Sequence, residues 1–326
     1  MRNKYRIAII GCGNIANFHI EALKSINLHV AHCASRYKSI TIKAFAKKYN
    51  IPNIWEDPIA LAKSSKEWDG IILCSSTKSV PKLLDVLINQ KKPILVEKPV
   101  SIGTDYLKKF RFKSPKFVNV AYNRRYYHTV LKAKEFVNKS KGQIICNLKL
   151  PERVINNKEL KKKFINIFEN SAHGIDILRF IFGDLKVLKR YKIKFNNFDS
   201  SRVAILQSKN YHICNIIISA NSPDNFSLEL ENGSKRFLMR PFENYEIYEG
   251  MKVIKPKKRY PLRIYKPNII FKENVFSENN INLKLKPGFY KQALDFFKLL
   301  QGEKNINAAN LTDAYKTQHI IEKIML

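Results

Sequence analysis

Long hydrophobic runs are missing from this 326-residue sequence: its unbroken aliphatic pieces are as short as Ile7–Ile10 and Ile216–Ile218. A membrane-spanning helix needs roughly 18 consecutive apolar residues, so none is expected. Glycine (11) and proline (13) are sparse, and charged residues make up an ordinary 26%; this excludes a collagen-like, low-complexity or disordered chain. The five cysteines, Cys12, Cys33, Cys74, Cys146 and Cys214, are odd in number and show no CxxC or CxxH spacing. They predict reduced thiols in a cytoplasmic protein, with neither a disulfide framework nor a metal site. Ile9-Ile10-Gly11-Cys12 has the look of a lipoprotein cleavage box, but the apolar stretch before it is too short for a signal peptide.

Acidic residues are the scarcest class relative to expectation: 27 Asp and Glu stand against 59 Lys and Arg, a net charge of +32. A charge of that size points to nucleic acid or an anionic surface when it is concentrated. Here it is spread evenly, and the densest pieces, Lys161-Lys162-Lys163 and Lys255 to Arg259, are short and lack interleaved stacking aromatics. No specific nucleic acid and no membrane partner are expected. The excess of Lys, Ile and Asn reads mainly as a compositional bias, with attraction of an anionic cofactor and substrate as the remainder.

What is present is two kinds of periodicity. Length alone suggests two domains. Strand-like pieces at Tyr5–Ile10, Leu28–Ala34, Ile54, Gly70–Cys74 and Pro93–Val96 alternate with helical patterns at Asn14–Leu23, Ile40–Tyr49, Pro58–Lys63 and Val80–Asn89. That alternation predicts a parallel, doubly wound sheet. After Ala121 come a helix at Tyr126–Asn138, a strand at Gln143–Leu150 and a helix at Ala172–Phe182. Period-two text then runs to about Val253, with strands at Tyr191–Phe195, Val203–Gln207, Ile213–Ala220, Phe226–Glu231 and Arg236–Met239 and a hairpin turn at Asn232-Gly233. The fold class is therefore α/β plus α+β: a dinucleotide-binding domain over 1–121 and an open, mostly antiparallel sheet domain over 122–326. The final helices within 289–325 are candidates to pack back on the first domain.

Gly11-Cys12-Gly13-Asn14-Ile15-Ala16 follows a strand and opens a helix. In that context GxGxxA is a pyrophosphate loop: the first glycine makes the turn, the second lets backbone approach phosphate, and the alanine lets helix and strand pack closely. An NAD-binding unit ordinarily has an acid about 20 residues on, holding the ribose 2′-hydroxyl. No acid occurs between Glu21 and Glu56, and Ser35, Arg36 and Lys38 stand there instead. Hydroxyl and guanidinium suit a 2′-phosphate, so NADP is favoured, with NAD as the second choice.

Glu97-Lys98-Pro99 places a lysine at the carboxyl end of the sheet, where ligands of open α/β folds bind. With GCGNIA at 11–16, EKP at 97–99, YNRRY at 122–126, and His173 followed by Asp176, the chain resembles the glucose-fructose oxidoreductase/inositol dehydrogenase/MocA family. ENGSKRFL at 231–238 and LTDAYKTQHIIEKI at 311–324 extend the likeness to nearly the whole length. The resemblance implies a pyridine-nucleotide enzyme exchanging hydride with the secondary alcohol or ketone of a sugar or cyclitol. It places Lys98 at the reacting oxygen and His173 as acid/base, with Glu169 at the family's aspartate position, one methylene longer. Val80-Pro81 stands where many members have a histidine. Nucleotide contacts are expected from Gly11, Gly13, Asn14, Ile15, Ser35, Arg36 and Lys38, with Ser75 and Glu97. Arg124 or Arg125, with Asp176 and Tyr290, are candidate substrate contacts, and Glu169 or Asp176 can share the helical face of His173 and orient its ring. The substrate class suggested by charge is a nucleotide sugar or acidic sugar of surface-polysaccharide building. The alternatives are a non-catalytic dinucleotide-binding sensor or scaffold, and a reductase of a non-sugar C=N or C=C bond. The resemblance also implies a homo-oligomer through the C-terminal sheet.

Overall fold

The computed structural model describes residues 5–36, 40–155, 157–195, 198–259, 261–274, 285–303 and 306–325. The chain forms two compact units: Met1–Tyr126 with Phe168–Asp176 and Asn280–Glu322, and Tyr127–Ile167 with Ile177–Asn279 and Lys323–Leu326.

In the first unit, strands β1 (Ile7–Ile10), β2 (Val30–Ala34), β3 (Asn53–Trp55), β4 (Gly70–Leu73), β5 (Ile94–Val96) and β6 (Val118–Val120) form a sheet in the order β3-β2-β1-β4-β5-β6. Every pairing is parallel. The central strands are near-continuous apolar runs because a parallel sheet is covered on both faces; all four residues of β1 and of β4 are buried. Helices α1 (Asn14–Lys24), α2 (Ile40–Tyr49), α3 (Pro58–Lys63) and α4 (Val80–Ile88) connect the strands. α1 buries Ala16, His19, Ile20 and Leu23, and α4 buries Val80, Leu83, Leu84 and Leu87, each a stripe at helical spacing. The helix Phe289–Leu300 adds Phe289, Ala293, Phe296 and Leu299 to the core beneath α1. The order of strands reverses between β1 and β4, and the crevice beyond their carboxyl ends is where a doubly wound sheet takes ligands.

The second unit is an eight-stranded sheet, β14-β13-β12-β11-β7-β10-β9-β8, made of β7 (Ile145–Glu152), β8 (Leu185–Phe195), β9 (Phe198–Ser208), β10 (Ile213–Ala220), β11 (Ser227–Glu231), β12 (Lys235–Met239), β13 (Asn244–Ile254) and β14 (Ile264–Asn274). Only β7 and β10 pair in parallel; Cys146 stands opposite Cys214 in that register. β7 alternates strictly, with Cys146, Leu148 and Leu150 inward. Its other face leaves Ile145, Leu188, Tyr191 and Ile217 exposed.

The two fold classes anticipated from periodicity are those observed, with three departures. β6 has three residues, too few to carry a period. β8 and β9 are 11 residues each, longer than their apolar stretches, because ladder hydrogen bonds continue past the last buried side chain. β13 and β14 went unread because beyond residue 250 neither face is buried, so there is no alternation to see.

Candidate active site

At the nucleotide end, Gly11 sits at φ +96°, and a Cβ there would lie 2.5 Å from the Cys74 carbonyl oxygen. Only glycine satisfies both conditions at this turn. Gly13 has open space where a side chain would be; it caps α1, whose first turn has no side-chain cap and no acid. Uncapped amides beneath a cradle left open by the missing side chain are what a pyrophosphate requires, so these residues fit a dinucleotide. Asn14 and Ile15 begin the helix, and Ser75 follows β4, half-buried. Ser35 donates its backbone N–H to the Trp55 carbonyl at 3.3 Å, leaving its hydroxyl uncommitted among the described residues. Arg36 is exposed beside it; Lys38 lies outside the described residues.

β5 delivers Glu97 and Lys98 at the other side of the switch point. Glu97 is buried, with one oxygen 2.6 Å from His19 Nε2 on α1 and the other accepting the Lys98 backbone N–H at 3.1 Å. The carboxylate expected to face the nucleotide is thus directed at its own scaffold. Lys98 extends its ammonium to the carbonyl oxygen of Glu169 at 3.1 Å. Burial lowers the lysine's pKa; Glu97 opposes that shift and the Arg124 cation adds to it.

Glu169 lies in a π-helical turn, Ile167–Ser171, that runs into the helix carrying His173. Gln318 fixes this turn, donating to the Phe168 carbonyl at 3.0 Å while accepting from Gly103 N–H at 3.2 Å. His173 is buried, its ring set edge-on to Tyr122 at 5.9 Å between centroids, and its Nδ1 has no hydrogen-bond partner among the described residues. Burial holds its pKa well below the ordinary 6.5, and the positive charges of Lys98, Arg124 and Lys286 push in the same direction. The imidazole is therefore neutral at neutral pH, the form able to take a proton. An ammonium donor beside it can balance negative charge developing on an oxygen.

Three expected roles are corrected by these contacts. Glu169 does not orient His173: no hydrogen bond joins them, and what it presents to the site is its backbone carbonyl, held by Lys98. A π-turn places the residue four before His173 off the face an α-helix would give it. Asp176 is neither a substrate contact nor the partner of His173, because Arg125 claims both its oxygens, Nε to Oδ2 at 2.7 Å and Nη2 to Oδ1 at 2.6 Å. Arg125 also reaches Asp313 at 3.5 Å, so the second arginine of YNRRY is structural. Arg124 is half-buried and acts electrostatically on both Lys98 and His173. Of the aromatic pair that opens the Phe289–Leu300 helix, Phe289 is core, 4.9 Å from the His19 ring, and Tyr290 remains half-buried. Among the described residues no group of three or more His, Cys, Asp or Glu is arranged to hold a metal.

Sequence reasoning missed the roles of His19, Gln318, Arg125 and Lys286. The partners of the first three lie 78, 150 and 51 residues away, beyond any local pattern. Lys286 was one cation among many.

Residues 5–110 match the profile of an oxidoreductase family with an NAD-binding Rossmann fold, GFO_IDH_MocA. A myo-inositol 2-dehydrogenase of Thermotoga maritima is 27% identical over 135 residues, 40% of this chain and 40% of that protein, so the match spans well under two thirds of the relative's length. An oxidoreductase from Thermotoga maritima solved at 2.50 Å superposes with a TM-score of 0.74 at 19% identity, over 98% of this chain and 95% of that one. Levoglucosan dehydrogenase in complex with NADH and L-sorbose superposes with a TM-score of 0.75 at 13% identity, again over 98% and 95%. At such identities these structures establish the shared fold.

Proposed function

We propose that the chain is a member of the glucose-fructose oxidoreductase/inositol dehydrogenase/MocA family of oxidoreductases, whose model its residues 5–110 match, and that it transfers hydride between a nicotinamide dinucleotide and the secondary alcohol or ketone of a sugar derivative. Bound nicotinamide supplies the hydride acceptor or donor. The observation that carries the reading is the neutral, buried His173, with Nδ1 unpartnered among the described residues, inside the field of the Lys98 ammonium. In the oxidising direction His173 takes the hydroxyl proton while Lys98 balances the oxygen's developing charge; in reverse the histidine returns the proton. His19, Glu97 and Gln318 hold the two segments that present these groups.

NADP is the favoured cofactor, with Ser35 and Arg36 at the 2′-phosphate, and NAD is the second choice, as the NADH in levoglucosan dehydrogenase suggests. The cations of Arg124 and Lys286 near His173 favour a substrate with negative charge, such as an acidic sugar or a nucleotide sugar of surface-polysaccharide building. The five free, buried thiols accord with a reducing cytoplasm. Exposed Ile145, Leu188, Tyr191 and Ile217 offer the sheet face on which a homo-oligomer would assemble.

The test is to identify by mass spectrometry the small molecule retained by the purified protein, then follow nicotinamide reduction with that compound and with a panel of neutral and acidic sugars. Turnover that disappears in Lys98→Met supports the reading. Tight nucleotide binding with no turnover on any secondary alcohol, unchanged by Lys98→Met, identifies a non-catalytic sensor instead.

A further inference from the structure

The β13–β14 ribbon stands apart from the redox site in both chemistry and exposure. Every described residue from Met251 to Pro267 is exposed, so both faces of this two-stranded ribbon meet solvent. An isolated hairpin is marginal in water and gains from a surface that covers it. Residues 250–272 carry eight Lys or Arg and no acid. Lys272 pairs with Glu246 at 2.8 Å; among the described residues the other seven have no ion-pair partner.

The register sorts the two faces. Met251 stands opposite Pro267 and Val253 opposite Tyr265, giving one apolar face, with Met251, Val253 and Tyr265 each at least half exposed. On the other face Lys252 stands opposite Lys266, and Ile254 opposite Ile264. Like charges directly opposite each other destabilise a ribbon in water, and an anionic partner relieves the repulsion. The tip adds Lys255 to Arg259 and Arg263 around Leu262, which is 73% exposed. Along the chain this basic run looked short; folding the strands together places the remaining cations and the exposed aliphatic residues beside it.

We propose that this ribbon docks the protein on an anionic membrane surface, its lysines and arginines among lipid headgroups and Met251, Val253, Tyr265 and Leu262 at the boundary with the acyl chains. Cations with apolar side chains on one short element are what interfacial binding requires. A second copy of the ribbon is disfavoured as the occupant, because each brings seven unpaired positive charges. Nucleic acid is disfavoured because the exposed apolar residues are chiefly aliphatic, where strand binding uses aromatic stacking platforms. The expectation of no membrane partner came from the even spread of charge along the sequence; the ribbon concentrates it in space. Among the described residues no helix is long and apolar enough to cross the bilayer.

The experiment is co-sedimentation of the full-length protein with vesicles of phosphatidylcholine alone or containing about one third phosphatidylglycerol. The protein is expected to follow the anionic vesicles, to be released by added salt, and to ignore the neutral ones. Lys252→Glu with Lys266→Glu should weaken binding roughly tenfold or more, and Val253→Ser with Tyr265→Ser should weaken it without altering the charge. Both variants sit in solvent, and unchanged nucleotide binding reports that they fold. Three results overturn the proposal: equal partition onto neutral and anionic vesicles, tighter binding to single-stranded RNA than to anionic vesicles, or a lipid-free dimer that the same variants dissociate.

Discussion

Lys98 donates its ammonium to the backbone carbonyl of Glu169 at 3.1 Å, so the lysine of the strand-end loop is held by the residue four before His173 through an atom that no side-chain substitution removes. The contact ties the two candidate catalytic segments together and makes the Glu169 carboxyl dispensable for their alignment. Lys98 also takes its backbone position from Glu97, which His19 anchors.

Glu169→Gln should accordingly leave the acid limb of the pH–rate profile, which reports His173, in place, with kcat within about threefold of the parent. A shift of the acid limb on this substitution would show that the carboxylate acts on His173 after all.

Lys98→Met and His173→Ala should each suppress turnover by about 100- to 10,000-fold while nucleotide affinity, read by fluorescence titration, stays nearly unchanged. If His173→Ala reacts at the parental rate with the true substrate, the proton-transfer role belongs to another group.

Arg124→Met and Lys286→Met should raise the pKa of His173, since each removes a positive charge that disfavours the imidazolium. The acid limb of alcohol oxidation, which reports the neutral base, should then move to higher pH, toward the ordinary 6.5. The same depressed pKa works on stability: the unfolded chain binds a proton near pH 6.5 that the folded His173 refuses, so stability falls as pH drops below that value. Thermal melts from pH 7 to 5 in the parent and in His173→Gln should show a smaller loss in the variant.

Arg125→Met should cost about 3 to 5 kcal/mol of stability, because it removes the guanidinium paired with the buried Asp176 carboxylate, which is 1% exposed. The double variant Arg125→Met with Asp176→Leu should recover much of that loss. Denaturant melts decide it; a single variant as stable as the parent would mean that water reaches the carboxylate.

NADPH should bind more tightly than NADH by about 1 kcal/mol, the modest value reflecting an exposed guanidinium. Arg36→Asp should narrow or reverse the preference, measured by titrating both nucleotides. Equal affinities in the parent would remove the argument for NADP.

The sequence by itself determined both fold classes and the nucleotide loop, because each is written in local periods: apolar runs alternating with helical stripes up to Val96, period two from Ile145 to Met239, and GxGxxA between a strand and a helix. It also located Lys98 and His173, through motif order. Only the tertiary structure decided who partners whom. Asp176 and Glu169 were both placed beside His173 on the assumption of one regular helix; a π-turn displaced one, and an arginine 51 residues away claimed the other. His19 joined the site through a partner 78 residues distant. The β13–β14 ribbon escaped the sequence for the opposite reason: with both faces in water it has no buried side to impose a period, and its charge becomes dense only when two strands are laid together.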